Sequence, residues 1–417
     1  MSIPTSGAAA PDQAEVPTAT PVRHGPLYYL ALGAFAVGTE GFMIAAILPK
    51  VAGDLSVSLQ VAGQLVTVFT LVYAISSPIL TALTGRLDRR VLLLAGMGVF
   101  VLGNVAAALA SDYGFLLAAR VIIALAAGLY TPNANALAGA LVPKERRGRA
   151  LAIVNGGLSV AVALGVPLGA FIGSHLGWRM TFAGVALLAV VAMAGLFIGI
   201  PRQAAIGVST ATLQERIVVI RQPAALAALL VTTVWAAGGY TVWTYIAVYL
   251  SSVVGVSGDK AGYFLFCWGA SAFVGLMIGG FINDKLGARR AIVIALPVMA
   301  AALASLSLSG AYLSPAAAAV PVLVAIALWG LAAWGFFPPQ QARLIGIAGL
   351  KNAPIILSLN GSFMYLGFSG GAALGSMAIT VGGPADLGWI GGLCVVGSFL
   401  LFLATDRRAR ATDRAKG

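Results

Sequence analysis

Apart from Asp386 at the edge of the last run, Glu40 is the only acidic residue, and Arg120 the only basic one, inside any of the roughly twelve apolar runs of this chain. An ionised side chain at the centre of a membrane helix costs about 2.5 kcal/mol or more, so such residues mark proton or ion pathways by default. Desolvation favours the neutral form of a buried carboxylate, and a neighbouring guanidinium favours the charged form. A movement that parts such a pair releases or captures a proton. Glu40 is therefore expected to carry the proton and Arg120 to regulate it. The competing reading is a static pair that only ties two spans together, although buried pairs are weak evidence for stability.

Other polar and aromatic groups fall at mid-span and are candidates for contacting a solute. They are Tyr73, Asn133, Asn135 and Asn155 in the first part of the chain, and Trp235, Tyr240, Trp243, Tyr245, Trp268, Trp334, Asn360 and Tyr365 in the second, with Gln340 and Gln341 after Pro338-Pro339 reading rather as gate or interface residues. Asn inside a helix bundle needs partners, and an aqueous cavity is one way to supply them. The run Tyr240-Thr241-Val242-Trp243-Thr244-Tyr245 is the densest of these clusters. No metal-ligand spacing and no nucleophile with a base occurs at membrane depth, so neither an enzyme nor a metal or other cofactor is expected.

The elements that position these residues are spans of lipid bilayer. Of the 417 residues, 60% are hydrophobic and only 9% charged, too few charges to clothe a soluble surface. Runs of about 20 apolar residues can be marked at roughly 27–49, 60–84, 91–110, 113–137, 150–174 and 180–200, and again at 225–250, 261–282, 291–309, 317–342, 353–381 and 386–404. The expected architecture is all-α, with twelve spans in two sets of six. Its parts are a disordered tail at 1–25, a six-helix bundle at 26–201, a linker at 202–224, a second bundle at 225–405 and a basic tail at 406–417.

The net charge of +12 is distributed along the chain in a way that argues against nucleic acid. Alternate loops hold 21 of the 25 basic residues, among them Arg86, Arg89, Arg90, Lys285, Arg289 and Arg290, whereas Lys50, Arg179 and Lys260 lie on the other side. The positive-inside rule then places both termini in the cytoplasm. Within the basic loops, Asp88 and Asp284 sit at helix ends. Charge-assisted contacts of Asp88, Arg89 and Arg90 with Asp284, Lys285, Arg289 and Arg290 are expected to latch the halves as a cytoplasmic gate in the outward-facing state and to break on opening toward the cytoplasm. Gly165, Pro167 and Gly169 in the fifth span read as close-packing and hinge positions.

Equivalent places in the two halves carry equivalent signals. Gly85-Arg86-Leu87-Asp88-Arg89-Arg90 follows the second span, and Asn283-Asp284-Lys285-Leu286-Gly287-Ala288-Arg289-Arg290 follows the eighth. Leu176-Gly177-Trp178 precedes the sixth span as Leu387-Gly388-Trp389 precedes the twelfth. With Gly38-Thr39-Glu40-Gly41-Phe42 running to Leu48-Pro49, Gly165-Val166-Pro167-Leu168-Gly169 and Gly177-Trp178-Arg179-Met180-Thr181-Phe182, the chain over about 26–405 resembles the major facilitator superfamily. Within it, the resemblance is to bacterial drug and sugar efflux permeases, including arabinose-efflux-like and chloramphenicol-efflux proteins. The first-half loop lacks a Gly between its acidic residue and the basic pair, and Ile123 and Ala124 stand where many drug antiporters have Gln and Gly.

The resemblance implies two pseudo-symmetric bundles with spans one and four in contact. It also implies export of a small solute against protons from a monomer in the bacterial inner membrane. With Glu40 about ten residues, ~15 Å, from one helix end and Arg120 about eight residues, ~12 Å, from the matching end, the two would meet in the outer half. A cavity with so little net negative charge suits a neutral or weakly charged solute such as a drug, sugar or metabolite. Proton symport or facilitated import is the alternative within transport, and a non-transporting membrane sensor is the alternative outside it.

Overall fold

The computed structural model describes residues 25–143, 146–200 and 211–414. Among them are 12 helices long and apolar enough to cross a membrane. The first six are Gly25–Asp54, Leu59–Leu83, Arg89–Ala108, Tyr113–Ala140, Arg147–His175 and Trp178–Gly199. The second six are Pro223–Trp243, Gly258–Leu286, Ala288–Tyr312, Pro315–Ala348, Leu350–Val381 and Pro384–Asp406. Helices are forced here because the bilayer interior offers backbone groups no other partner. The turns between them are set by local chemistry: the side chains of Ser58, Asp88 and Asp112 accept hydrogen bonds from Val61, Val91 and Phe115 N–H at 3.2, 3.0 and 2.9 Å. Gly177 and Gly287 turn the chain at φ +89° and +81°, where a side chain would be strained.

Three details differ from the sequence expectation. Most of residues 1–25 lies outside the described residues, but Gly25 already opens the first helix. The last helix continues to Arg414, so the stretch set aside as a basic tail is helical for most of its length. Span seven is not one helix over 225–250. It stops at Trp243, turns at Thr244-Tyr245, resumes as the short helix Ile246–Tyr249 and ends in a π-turn at Leu250–Val254. The Thr241 and Thr244 hydroxyls donate back to the carbonyls of Ala237 and Tyr240, both at 2.8 Å, and back-bonding of this kind bends helices.

Helix crossings are lined by small residues. A Cβ at Gly275 or Gly279 of span eight would run into the Leu331 or Gly335 carbonyl of span ten, and one at Gly367 or Gly371 of span eleven into the Thr233 or Ala237 carbonyl of span seven. Gly165 and Gly169 lie against Thr39 and Met43 of span one. A π-turn at Ala161–Gly165 precedes Pro167, so the extra residue falls where the proline ring would otherwise clash with the preceding turn.

The halves meet along spans two and eleven, along the distal part of span five with span eight, and between span one and Ile246–Tyr249. Ser369 Oγ donates to the Thr67 carbonyl at 3.0 Å across this boundary. At the end of the bundle away from the termini, the Ser174 hydroxyl donates to Asp259 Oδ1 at 3.0 Å, and His175 Nε2 lies 3.4 Å from Asp259 Oδ2. Both side chains of the His175–Asp259 pair are about half exposed, so it contributes only about 0–1 kcal/mol. Asp259→Ala is expected to shift the balance of conformations by no more than about five-fold. Spin-label distances between spans five and eight would read that shift.

At the terminus-bearing end, the residues expected to latch the halves in the outward-facing state make the following contacts in this conformation. Asp88 caps its own helix, and Arg89 donates to the Thr84 and Gly85 carbonyls at 3.3 and 2.7 Å. Arg90 donates to the Phe197 carbonyl at 2.6 Å, and Arg289 pairs with Asp406 at 2.9 Å. Each of these contacts stays within its own half. Asp284, Lys285 and Arg290 are exposed, with Lys285 over the Phe281 ring at 4.4 Å. In this conformation the halves are pinned together at the end away from the termini by the Ser174–Asp259 and His175–Asp259 contacts.

The linker contributes the helix Leu213–Ile220, closed by a capping box in which Thr212 and Glu215 exchange hydrogen bonds of 2.8 and 3.3 Å. The Thr212 backbone N–H holds the Glu215 carboxyl below the usual carboxylate range. Arg216 ties this helix to span eleven by donating to Ser358 Oγ at 2.9 Å.

Candidate functional site

Span one carries Glu40 and span four carries Arg120 to the same point, where NH1 of Arg120 pairs with Oε1 of Glu40 and both side chains are 0% exposed. Two further contacts hold the guanidinium: its Nε donates to the Leu65 carbonyl of span two at 3.3 Å, and its Cζ lies 4.2 Å from the centre of the Phe69 ring. Glu40 Oε2 and Arg120 NH2 have no hydrogen-bond partner among the described residues. The carboxylate thus has one oxygen committed to the guanidinium and one without a partner.

Two residues beyond Glu40, Phe42 leaves the first half and enters a group of aromatic rings built by the second. Its centroid lies 6.1 Å from Tyr240, 6.2 Å from Trp243, 6.4 Å from Trp334 and 6.3 Å from Phe368. Tyr240 stacks on Phe368 at 3.7 Å, and Trp243, Trp268 and Trp329 form a triangle with edges of 4.0, 5.5 and 6.2 Å. Trp235 and the two methionines Met299 and Met364 complete the walls. The space left between them is about 30 Å³, enough for one or two waters and not for an organic solute. The conformation is contracted around its centre.

Of the residues expected to contact a solute, Trp235, Tyr240, Trp243, Trp268 and Trp334 line this cavity. Tyr73 and Tyr365 lie beside it, stacked on one another across the two halves at 3.7 Å, with Tyr365 5.3 Å from Phe368. Asn360 accepts from Thr232 at 2.7 Å, and Gln340 donates to the same Thr232 at 3.1 Å, forming a polar bridge among spans seven, ten and eleven. Tyr245 packs against Gly63 of span two, outside the cavity walls. Asn133 is bound to Arg89 NH1 at 2.9 Å, which makes it a partner of the basic loop. Asn135 and Asn155 face each other at 3.4 Å, and Asn155 is exposed.

Phe42, Trp329, Phe368, Met299 and Met364 were not singled out by the sequence. Each sits in an apolar run with nothing to distinguish it from lipid-facing neighbours, and Phe42 entered the sequence reading only as the last residue of the Gly38–Phe42 motif. Among the described residues no group of His, Cys, Asp and Glu could hold a metal ion.

The profile of the Major Facilitator Superfamily matches residues 30–372. The chain is 34% identical over 389 residues to an uncharacterized MFS-type transporter, YbcL, of Bacillus subtilis, covering 92% of this chain and 97% of that protein. It is 31% identical to the inner membrane transport protein YdhP of Escherichia coli K12, over 92% and 96%. A chloramphenicol resistance protein of Streptomyces lividans is 32% identical over 62% of this chain and 67% of its own. Among solved structures, a bacterial homologue of the human lysosomal transporter Spinster, inward-facing and occupied, superposes with a TM-score of 0.73 at 16% identity, covering 94% of this chain and 98% of that one. A peptide transporter, POT, gives 0.72 at 15% identity, over 93% and 95%. Twelve apolar helices in this arrangement, matched by sequence and by fold, make the chain a multi-pass membrane transporter rather than an enzyme, and it belongs to the major facilitator superfamily.

Proposed function

We propose that the protein exports a small, neutral or weakly charged organic solute in exchange for protons, by alternating access, from a bacterial cytoplasmic membrane with both termini in the cytoplasm. The observation that carries this reading is the fully buried Glu40–Arg120 pair, two residues along span one from the cavity residue Phe42 and with one carboxylate oxygen lacking a partner among the described residues. Separation of spans one and four frees the carboxylate to take a proton from one side, and closure returns the guanidinium and expels it to the other. Because Phe42 follows Glu40 on the same helix, the motion that parts the pair also moves a wall of the cavity. Proton and solute are thereby exchanged by one displacement, which is what antiport requires.

With the basic loops facing the cytoplasm, the conformation described is closed toward the outside at Ser174, His175 and Asp259. Reversal would open that side and bring Asp88, Arg89 and Arg90 toward Asp284, Lys285, Arg289 and Arg290 as the cytoplasmic latch. Gly165, Pro167 and Gly169 allow span five to slide and bend against span one during that change. Export is favoured over import by the likeness to the chloramphenicol resistance protein.

The test is proton movement in proteoliposomes of wild type and Glu40→Gln, with an internal pH dye and a panel of neutral and cationic solutes. Solute-triggered proton movement that disappears in Glu40→Gln supports antiport with the carrier on span one. Solute flux with no proton movement in either protein would make this a facilitator and leave Glu40 a structural partner of Arg120.

A further inference from the structure

Three of the cavity tryptophans carry an unanswered donor. Trp235, Trp243 and Trp268 are 4%, 2% and 4% exposed, and the indole Nε1 of each has no hydrogen-bond acceptor among the described residues. A buried N–H without an acceptor costs the full desolvation of that group, so three in one wall are expensive unless another state of the molecule uses them. The walls carry no charged side chain, and Glu40, two residues from Phe42 on span one, is paired with Arg120. In the contracted conformation a single benzene ring, that of Phe42, stands among four aromatic rings of the other half and is itself 3% exposed.

We infer that Phe42 occupies the ring subsite of the substrate, and that the substrate is an uncharged benzenoid compound whose carbonyl, nitro or similar acceptor oxygens receive the indole N–H groups of Trp235, Trp243 and Trp268. The inference rests on the transport reading above and narrows its solute class. When the halves part, Phe42 withdraws with span one and the second half presents an aromatic slot of the size it has vacated. The electron-rich faces of Trp243 and Trp329 hold a ring by stacking, and the three donors select against a hydrocarbon of the same shape, because a ligand without acceptors leaves them unpaired. An aromatic cage can also hold a quaternary ammonium ion. Such an ion would leave the donors unpaired and place a second cation near Arg120, so the observations favour the acceptor-bearing neutral ring.

Three probes of similar size separate these cases in thermal-shift titrations of the purified full-length protein in detergent: acetophenone, isopropylbenzene and benzyltrimethylammonium. Acetophenone is expected to bind best. Trp243→Phe and Trp268→Phe keep a ring but delete the N–H, and each is expected to weaken acetophenone about ten-fold while changing isopropylbenzene less than about two-fold. Phe42→Ala removes the internal occupant and is expected to tighten both neutral probes. Should either Trp variant lose its unliganded melting transition, Trp235→Phe deletes an equivalent donor. Equal losses for acetophenone and isopropylbenzene would overturn the role of the donors. Tighter binding of benzyltrimethylammonium than of acetophenone, or no binding of either neutral probe even to Phe42→Ala, would overturn the substrate class. These readouts need no proton gradient, so the inference and the antiport reading can fail separately.

Discussion

Arg120→Leu is expected to abolish solute-coupled proton movement and to destabilise the protein by about 3–5 kcal/mol, because it strands the Glu40 carboxylate at zero exposure without its counter-ion. The Leu65 carbonyl also loses its guanidinium donor, and the Phe69 face loses its cation. Replacing both charges, in Glu40→Leu with Arg120→Leu, is expected to recover most of the stability, since a well-packed apolar pair is often as stable as a buried ion pair. Transport should not recover with it. Thermal unfolding of the two variants beside a proteoliposome proton assay separates a structural from a coupling role. Solute-driven proton movement in the doubly substituted protein would exclude Glu40 as the carrier.

Gly275→Val and Gly279→Val are expected to be the most damaging substitutions away from the charged pair, each costing about 3 kcal/mol through overpacking. At both positions the added carbon meets a backbone carbonyl of span ten, of Leu331 or Gly335, which cannot rotate away as a side chain would. Spans eight and ten must then separate, and Trp268 and Trp329, which flank the cavity on those two spans, move apart with them. The loss should appear as a lowered melting transition in detergent together with a fall in solute binding. Gly280→Val is the control: nothing lies within 4 Å of its added carbon, and its effect should stay within about 0.5 kcal/mol. A Gly280→Val variant as unstable as Gly279→Val would show that the crossing with span ten is not the cause, since helix propensity by itself favours Val over Gly.

The two predictions draw on different kinds of information. Glu40 and Arg120 were legible because a charge inside an apolar run is rare for an energetic reason that needs no structure. The glycines were legible only as a composition. Gly275 and Gly280 look alike in the sequence, yet one faces a neighbouring backbone and the other faces open space. The tryptophans illustrate the same limit. Trp235, Trp243, Trp268 and Trp334 drew notice for their type, whereas Trp329, buried in the same wall and five residues from Trp334 in the same run, did not.

The gate residues mark a further boundary. Asp88 and Asp284 stand out as charges at helix ends, and their sequence context suggests a latch between halves. In the conformation described, Asp88 caps its own helix, and Arg89 is bound to Asn133, a residue expected instead to meet the solute. Sequence can say that such groups are costly to leave alone. It cannot say which of two conformations supplies the partner.

By itself the sequence determined the helical class, the twelve spans and the isolated charged pair, because insertion in lipid depends on local length and apolarity and on satisfying each backbone group within its own helix. The tertiary structure decided which rings converge on the cavity, where span seven breaks, and that a residue of the first half fills a site built by the second. Those outcomes depend on contacts between residues far apart in the chain, such as Ser369 with Thr67 at a separation of 302 positions. In an apolar helix every face is compatible with lipid, so periodicity does not reveal which face is turned inward.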